Sequence, residues 1–197
     1  MSTASITQAK ADLRRAAKAR RAALNAADRQ AASAAIAMRG LEFLGSCVEP
    51  GATIGGYMPI GEEISPLPLM ARLHDLGYPL ALPVMMGKYA PLEFRRYAPG
   101  DPLVAAVWGI REPGSGSEMV QPDILLTALL AFDDAGYRLG YGGGFYDRSI
   151  RQLRGMKPVI TIGLAYDEQR VDAVPHLDYD ERLDWILTPS GARQTEP

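Results

Sequence analysis

A glycine-rich segment holds the residues best suited to chemistry in this sequence. It reads GYRLGYGGGFYD over residues 136–147, follows an apolar run and precedes a helical pattern. Its glycines are Gly136, Gly140, Gly142, Gly143 and Gly144. Glycine lets the backbone adopt positive φ and approach a ligand closely, and the N-terminus of a following helix offers free N–H groups and a partial positive charge. These properties suit phosphate, although neither the P-loop nor the dinucleotide-binding fingerprint is matched. A tight connection between a strand and a helix is the alternative interpretation.

Two charged residues in this segment indicate which ligands it could bind. The Arg138 guanidinium, beside exposed N–H groups, would be a good partner for phosphate oxygens. Asp147 would repel phosphate unless a cation lay between them, so its position predicts Mg²⁺, with an ordinary helix-capping aspartate as the alternative. A second acidic group before the last strand could complete the metal site or form a solvated loop. It comprises Asp178, Asp180, Glu181 and Asp184.

A basic cluster near the N-terminus could grip the same phosphate chain. Six basic residues and a single acid, Asp12, occupy the stretch from Lys10 to Arg21. Lys10 and Arg14 are spaced i and i+4, so both project from one side of a helix. A solvated basic face is the alternative. Because the net charge is −2, a generic polyanion binder with a broad basic surface is disfavoured.

The surrounding patterns predict the elements that position these residues. Residues 7–24 read as an amphipathic helix, and Asn25 caps a second Ala-rich helix that ends near Gly40. Ser65 and Pro66 open a third helix. Apolar runs then alternate with helical patterns, which predicts an α/β fold with a mostly parallel sheet and helices on both faces. The predicted strands are ATIGGYM, PLALPVM, LEFRRYA, DILLTALLAFD, VITIGLA and DWILT, and RSIRQL forms a helix after the glycine-rich segment.

Composition limits the class of protein. Hydrophobic residues make up 47% of the 197 residues, so we expect one compact domain over residues 1–197, with a loose tail at 190–197. Cys47 is the only cysteine, which excludes an internal disulfide and a Cys-rich metal site. No run approaches the ~20 apolar residues of a membrane span, and the first residues lack a signal-peptide core. We expect a cytoplasmic protein without a nucleic-acid, membrane or obligate protein partner.

Five blocks of sequence occur in the order typical of one family. They are KADLR at residues 10–14, YMPIGEEI, WGIREP, AFDDAGYRLGYGGGFYD and GLAYDEQRVDAVPHLDYDERLD. On these blocks nearly the whole chain resembles the 5-formyltetrahydrofolate cyclo-ligases, also called methenyltetrahydrofolate synthetases. The resemblance implies a three-layer α/β sandwich with ATP between the basic first helix and the glycine-rich turn. It also implies an enzyme that uses ATP and Mg²⁺ to convert 5-formyltetrahydrofolate to 5,10-methenyltetrahydrofolate, releasing ADP and phosphate.

The family's site residues carry over position by position. ATP would be bound by Lys10, Arg14, Arg138, Leu139, Gly140, Tyr141, Gly142, Gly143, Gly144, Phe145 and Tyr146. Arg138 and Tyr146 would be catalytic, and Asp147 and Asp184 would hold Mg²⁺. The folate would contact Met58, Glu63, Trp108 and Phe145. Without the resemblance, core packing is the simpler interpretation of Met58 and the aromatic residues, and a solvated charge that of Glu63.

Two positions depart from the family's pattern. Many relatives carry a basic residue in the turn where this chain has Gly143, so Arg138, Lys10 and Mg²⁺, or another basic side chain that reaches in, must neutralise the transferring phosphate. The folate segment often continues with an acidic residue and Thr where this chain has Ser65 and Pro66. Two alternatives therefore stay open: a folate- or nucleotide-binding regulatory module without turnover, and an enzyme of the sugar-phosphate isomerase or acyl-transfer type.

Overall fold

A seven-stranded sheet lies at the centre of the structure, a computed structural model that describes residues 2–196 apart from the side chains of Cys47 and Trp108. The strands are β1 Ile54–Gly55, β2 Leu80–Met85, β3 Leu92–Tyr97, β4 Leu103–Ala105, β5 Arg111–Pro113, β6 Ile124–Ala128, β7 Ala131–Phe132, β8 Arg138–Leu139, β9 Ile160–Leu164, β10 Trp185–Thr188 and β11 Gly191–Gln194. The helices are α1 Thr3–Ala22, α2 Ala26–Cys47, α3 Leu67–Asp75 and α4 Phe145–Met156, with 3-10 turns at Val107–Gly109 and Asp167–Gln169.

The strand order in the central sheet is β11-β10-β9-β6-β1-β2-β3. The five inner strands run parallel, whereas β3 and β11 pair antiparallel with their neighbours at the two edges. Strand β6, ILLTA, is buried at four of its five residues, as expected for a strand covered on both faces. The predicted mostly parallel sheet is confirmed.

The strand order reverses between β1 and β6, in the middle of the sheet. From β1 the chain crosses through α3 to β2 on one side, and from β6 it crosses through α4 to β9 on the other. Because such crossovers are right-handed, opposite directions place the two helices on opposite faces. Helix α3 accordingly packs with α2 in the larger core, while Ile150 and Leu153 of α4 pack in a second core. Ligands typically bind at the carboxyl ends of strands beside such a reversal.

Helix α1 covers the carboxyl ends of the central strands rather than a face of the sheet. Its buried Ala17 joins a third core with Leu130, which follows β6, and with Leu139 of β8. Although α1 and α2 contain 20 and 22 residues, no helix within residues 2–196 is both long and apolar enough to cross a bilayer.

Helix α2 continues past the glycine at which the sequence predicted its end. Gly40 lies buried inside the helix. A Cβ atom at residue 40 would lie 2.8 Å from Leu69 Cδ2 and 3.2 Å from Leu187 Cδ2. The predicted helix end is wrong because this glycine lets α2 approach α3 and the sheet closely, instead of supplying the left-handed residue of a helix C-terminus.

Two other segments differ from the sequence prediction. The apolar run at residues 123–133 was expected to form one strand, but it divides into β6 and β7, which belong to different sheets. The loose tail predicted for residues 190–197 is wrong for Gly191–Gln194, which form edge strand β11. Three of the four side chains in β11 are exposed, so the strand depends on backbone pairing and lacks the apolar alternation that would have predicted it.

We expect Gly40→Val to reduce the free energy of unfolding by about 1–3 kcal/mol, because the added carbons must displace buried Leu69. Urea denaturation followed by circular dichroism measures the change. Gly45→Val is the matched control, since nothing lies within 4 Å of a Cβ at residue 45 in the same helix. Equal stability of the two variants would contradict the close approach of α2 to α3.

Candidate active site

Segments that carry predicted site residues follow the carboxyl ends of two neighbouring strands, β6 and β1, and a third such segment follows their neighbour β9, whereas Asp184 lies directly before β10 and beside the start of β9. The segment from Tyr57 to Glu63 follows β1, and Tyr166 follows β9. The chain leaves β6 through the β7-β8 hairpin, which leads directly into the glycine-rich turn at 140–144. The strand reversal therefore brings together segments that lie far apart in the sequence.

The glycine-rich turn connects β8 to the N-terminus of α4. Gly142 and Gly144 adopt positive φ angles of 101° and 66°, and Gly144 is the N-cap of the helix. Because the first N–H groups of a helix have no partner within it, this end of α4 can donate to an anion. Leu139, by contrast, is buried in the third core, so only its backbone is available to a nucleotide.

Helix α1 is tied directly to this turn. Arg14 Nε donates to the Gly140 carbonyl over 2.9 Å, and a Cβ at Gly142 would lie only 3.4 Å from Arg14 Cζ. The basic helix and the glycine-rich turn thus share one surface.

Lys10 connects the same helix to the acidic loop before β10. Its ammonium pairs with Asp180, and the two side chains are only 12% and 14% exposed. Asp180 Oδ2 also accepts from the Leu177 N–H over 2.6 Å. Lys10 is therefore not a solvated surface charge, and an incoming phosphate would compete with Asp180 for it.

Arg138 and Asp147 form an ion pair next to the turn. Arg138 Nη2 lies 2.9 Å from Asp147 Oδ1, and Nη1 donates to the Glu181 carbonyl over 2.6 Å. Asp147 Oδ1 also accepts from the Glu181 N–H. Since the Arg138 side chain is 4% exposed, the guanidinium is held by protein groups and not displayed to solvent.

The two predicted metal ligands differ in how far they fit Mg²⁺. Asp147 Oδ2 accepts no hydrogen bond from the residues that the structure describes, so one carboxylate oxygen can serve a cation. Both oxygens of Asp184 are engaged: Arg154 binds each at 3.0 and 3.1 Å, and Thr161 donates to Oδ2 through its N–H and its hydroxyl. No group of three His, Cys, Asp or Glu side chains in the described part of the chain could hold a metal. The donor set fits an ion bound by one carboxylate and phosphate oxygens, and a metal role for Asp184 stays a prediction.

A basic side chain reaches the turn at the position where Gly143 departs from the family's pattern. Arg148 Nη2 donates to the Gly143 carbonyl over 2.8 Å, and its guanidinium lies 5.3 Å from the centroid of the Phe145 ring. A Cβ at Gly143 would lie 2.7 Å from that ring, so Phe145 occupies the space that a side chain at 143 would need. Sequence reasoning missed Arg148, although its position four residues after Gly144 places it one helical turn beyond the glycines.

The predicted folate residues have different surroundings. Glu63 is 9% exposed, and its Oε2 accepts from the Ile60 N–H over 2.9 Å, which rules out a solvated charge. Burial raises the pKa of the Glu63 carboxyl, while the Ile60 hydrogen bond and the nearby Arg21 and Tyr141 lower it. Met58 is partly buried and packs against the larger core, as its simpler interpretation expected.

The structure describes the surroundings of Tyr146 but not those of the Trp108 side chain. Burial raises the pKa of Tyr146 far above its usual value, so this hydroxyl stays protonated and is suited to hydrogen bonding, not to proton abstraction. The Tyr146 ring lies 5.9 Å from the Arg138 guanidinium. Trp108 falls in the 3-10 turn Val107–Gly109, and its side chain is outside the described structure.

Comparison with known proteins places these features in context. The model of the 5-formyltetrahydrofolate cyclo-ligase family matches residues 6–189. The 5-formyltetrahydrofolate cyclo-ligase of Mycolicibacterium smegmatis is 35% identical over 147 residues, which are 71% of this chain and 74% of that protein. The enzyme of the same name from Escherichia coli is 36% identical over 143 residues, 70% of this chain and 78% of that protein. The solution structure of Aquifex aeolicus 5,10-methenyltetrahydrofolate synthetase gives a TM-score of 0.75 at 26% identity, covering 95% of this chain and 93% of that one.

The surroundings of Glu63 predict a pH dependence of stability. Because burial raises its pKa in the folded state, the unfolded chain releases this proton at a lower pH than the folded chain does. The contribution of Glu63 to stability therefore falls as the pH rises above the pKa that this carboxyl has in the unfolded chain. We expect the free energy of unfolding of Glu63→Gln, relative to that of the parent, to rise progressively from pH 4 to pH 7. Urea denaturation of both proteins measures the difference. Glu42→Gln, at an exposed position in α2, is the control. A difference that does not vary with pH would contradict the burial of an ionisable Glu63.

Proposed function

Because the chain belongs to the 5-formyltetrahydrofolate cyclo-ligase family, we propose that it closes the ring of 5-formyltetrahydrofolate with ATP in the site formed by α1, the glycine-rich turn and the segment after β1. The observation that carries this assignment is the contact of Arg14 with Gly140, which places a cationic helix against a phosphate-binding type of turn. Buried Glu63 lies on the neighbouring segment after β1, so the residue proposed to bind the folate lies close to those proposed to bind ATP.

The phosphate chain of ATP would lie against the turn from Gly140 to Gly144. Arg14 approaches this region from α1, with Lys10 one helical turn before it, and Arg148 approaches it from α4. Cations and backbone N–H groups directed at the phosphoryl oxygens stabilise the charge that shifts during transfer. We assign Arg148 the role that a basic residue at position 143 has in other sequences, because its guanidinium is hydrogen-bonded to the Gly143 carbonyl.

Mg²⁺ would be held by Asp147 together with phosphate oxygens, and when bound it would neutralise part of the phosphate charge. Asp147 is kept in place by Arg138 and by the Glu181 N–H, both on its Oδ1. Oδ2 is left for the cation. Arg138 thus acts as a positioning residue for the carboxylate, and its proposed catalytic role would operate through Asp147.

The proposed reaction balances in two steps. The N5-formyl oxygen attacks the γ-phosphorus, forming an O–P bond as the bond to ADP breaks. N10 then attacks the formyl carbon, and phosphate leaves with the former formyl oxygen while N10 gives up its proton. Phosphorylation is needed because an amide oxygen is a poor leaving group and phosphate a good one. The protein supplies orientation and charge, and the reaction requires no nucleophilic side chain.

The cellular setting is a separate proposal. We place the reaction in the cytoplasm, which the single Cys47 supports because such a chain gains nothing from an oxidising compartment. That the chain works without a nucleic-acid, membrane or obligate protein partner remains a prediction.

We expect the purified protein with Mg-ATP to convert 5-formyltetrahydrofolate to the methenyl product, measured by near-ultraviolet absorbance and ADP release. Asp147→Asn should lower turnover by at least about 100-fold, because the charge that holds the cation is lost. The amide oxygen can still accept from Arg138 and Glu181, so the fold should persist.

The control for Asp147 is Asp178→Asn, an exposed acid of the loop before β10, which should leave turnover unchanged. Binding of both substrates to the folded parent without product would support a regulatory module. Full activity of Asp147→Asn would return Asp147 to a role as a structural partner of Arg138.

Arg148→Gln should raise the KM for ATP about 10-fold, the effect of losing one charge-assisted contact worth about 1.5 kcal/mol. Arg148→Lys should retain part of the affinity, since it keeps the charge but not the planar fork. Steady-state kinetics measure both values. Arg193→Gln on edge strand β11 removes an arginine that pairs with Asp134 and should have no effect. An unchanged KM for ATP in Arg148→Gln would show that this side chain has only a structural role at the turn.

A further inference from the structure

Arg21, near the end of α1, has more hydrogen-bond donors than the protein satisfies. Its side chain is 4% exposed, and Nη2 donates to the Tyr141 hydroxyl. Glu62 Oε2 is 4.0 Å from the same nitrogen, too far for a hydrogen bond. Nε and Nη1 are buried without a partner among the residues that the structure describes. Two of the three nitrogens of this guanidinium thus lack an acceptor among the described residues.

Unpartnered donors of this kind are expensive for a folded protein. A buried polar group that loses its partner costs about 1–3 kcal/mol, and more when it is charged. An apolar side chain of similar length would avoid this cost, as replacements of buried charges elsewhere have shown. The stability of the free protein therefore does not explain why residue 21 is an arginine. A bound molecule with several anionic oxygens would supply the missing acceptors.

The position of Arg21 indicates which molecule that is. Lys10, Arg14, Ala17 and Arg21 follow one another at intervals of four, three and four residues, so they form one stripe along α1. Arg14 contacts Gly140, and Arg21 contacts the next residue of the turn, Tyr141. Phosphate-binding residues thus lie at one end of the stripe and Arg21 at the other.

The other neighbours of Arg21 belong to the folate side of the site. Positive charge from Arg21 lowers the pKa of buried Glu63, and it also acts on Tyr57 and Tyr166 at the ends of β1 and β9. Tyr57 and Tyr166 are themselves fixed, through hydroxyl hydrogen bonds to the Ile64 and Glu62 carbonyls. Arg21 therefore lies between the residues proposed for the phosphate chain and those proposed for the pterin.

We propose that Arg21 binds an oxygen of the phosphoryl group during its transfer from the nucleotide to the formyl oxygen. This inference rests on the proposed function. Because the Nε–H lies on the Nη2 side of the guanidinium, Nη2 forms a planar pair of donors with Nε, or with Nη1, that matches two phosphoryl oxygens. The Tyr141 hydroxyl is the acceptor in the free protein, and Tyr141 lies between Gly140 and Gly142, the latter with a φ of 101°. In the proposed bound state, a change in the conformation of this turn releases Nη2 and opens the guanidinium to the substrates.

The test is Arg21→Met, with kinetics and thermal unfolding measured on the same preparations. We expect kcat to fall at least about 100-fold, because the lost contact acts on the group in transfer, with less than about threefold change in the KM for ATP. The melting temperature of the free protein should stay equal to that of the parent or rise, since the unpartnered charge is removed. A structural arginine would give the opposite pattern, with lower stability and normal kcat per folded molecule.

Arg20→Met is the matched control, because Arg20 is the exposed neighbour and donates to the Glu168 carbonyl. It should retain parental kcat. If Arg21→Met does not fold, Arg21→Lys decides: it keeps the charge without the planar pair, and its kcat should fall at least about 10-fold. Parental kcat in the folded Arg21 variant overturns the inference while leaving the cyclo-ligase activity intact. Absence of cyclo-ligase activity in the folded parent would instead contradict the proposed function.

Discussion

The contact between α1 and the glycine-rich turn is the constraint on which the site depends. The chain crosses from β1 to β2 and from β6 to β9 in opposite directions, so the carboxyl ends of β1 and β6 open a crevice that neither crossover helix covers. Helix α1 closes this crevice from above, anchored by Ala17 in the third core and by Arg14 on Gly140. Without α1 the turn would be a loop that displays N–H groups to water. With α1 it becomes one wall of a cationic site.

Apart from Arg21, the basic side chains of this site have partners within the protein, and this determines how substrates can bind. Lys10 pairs with Asp180, Arg138 with Asp147, and Arg148 with backbone carbonyls. Phosphate binding is therefore an exchange of partners, in which the protein gives up existing hydrogen bonds for stronger charge-assisted ones. Such an arrangement keeps the basic groups in place before the nucleotide arrives. It also limits net affinity, because each new contact replaces an old one.

The sequence predicted the parts of this molecule that depend on local pattern. The helix around Lys10 and Arg14, the parallel strands and the turn at 140–144 all follow from periodicity, glycine content and capping residues. Contacts between distant residues were not predictable in the same way. Gly40 resembles a helix end in the sequence because its close neighbour Leu69 lies 29 positions away. Glu63 resembles a surface charge because Arg21 and Tyr141, which lie near its carboxyl in the fold, are distant along the chain. The pairing of Arg138 with Asp147 depends on side-chain geometry that composition does not encode.

In the proposed site, Arg148 carries the charge that the family's pattern is expected to place at position 143. Without a side chain at 143, the Phe145 ring lies against the turn, and Arg148 lies over that ring from one turn further along α4. The Arg148 guanidinium is held by the carbonyls of Gly143 and Ala90, which its planar set of donors can reach together. The glycine that looks like a loss of function in the sequence therefore makes room for a cation fixed by the helix. Motif matching position by position misses this kind of compensation, because the charge moves five residues along the chain while remaining at the same turn.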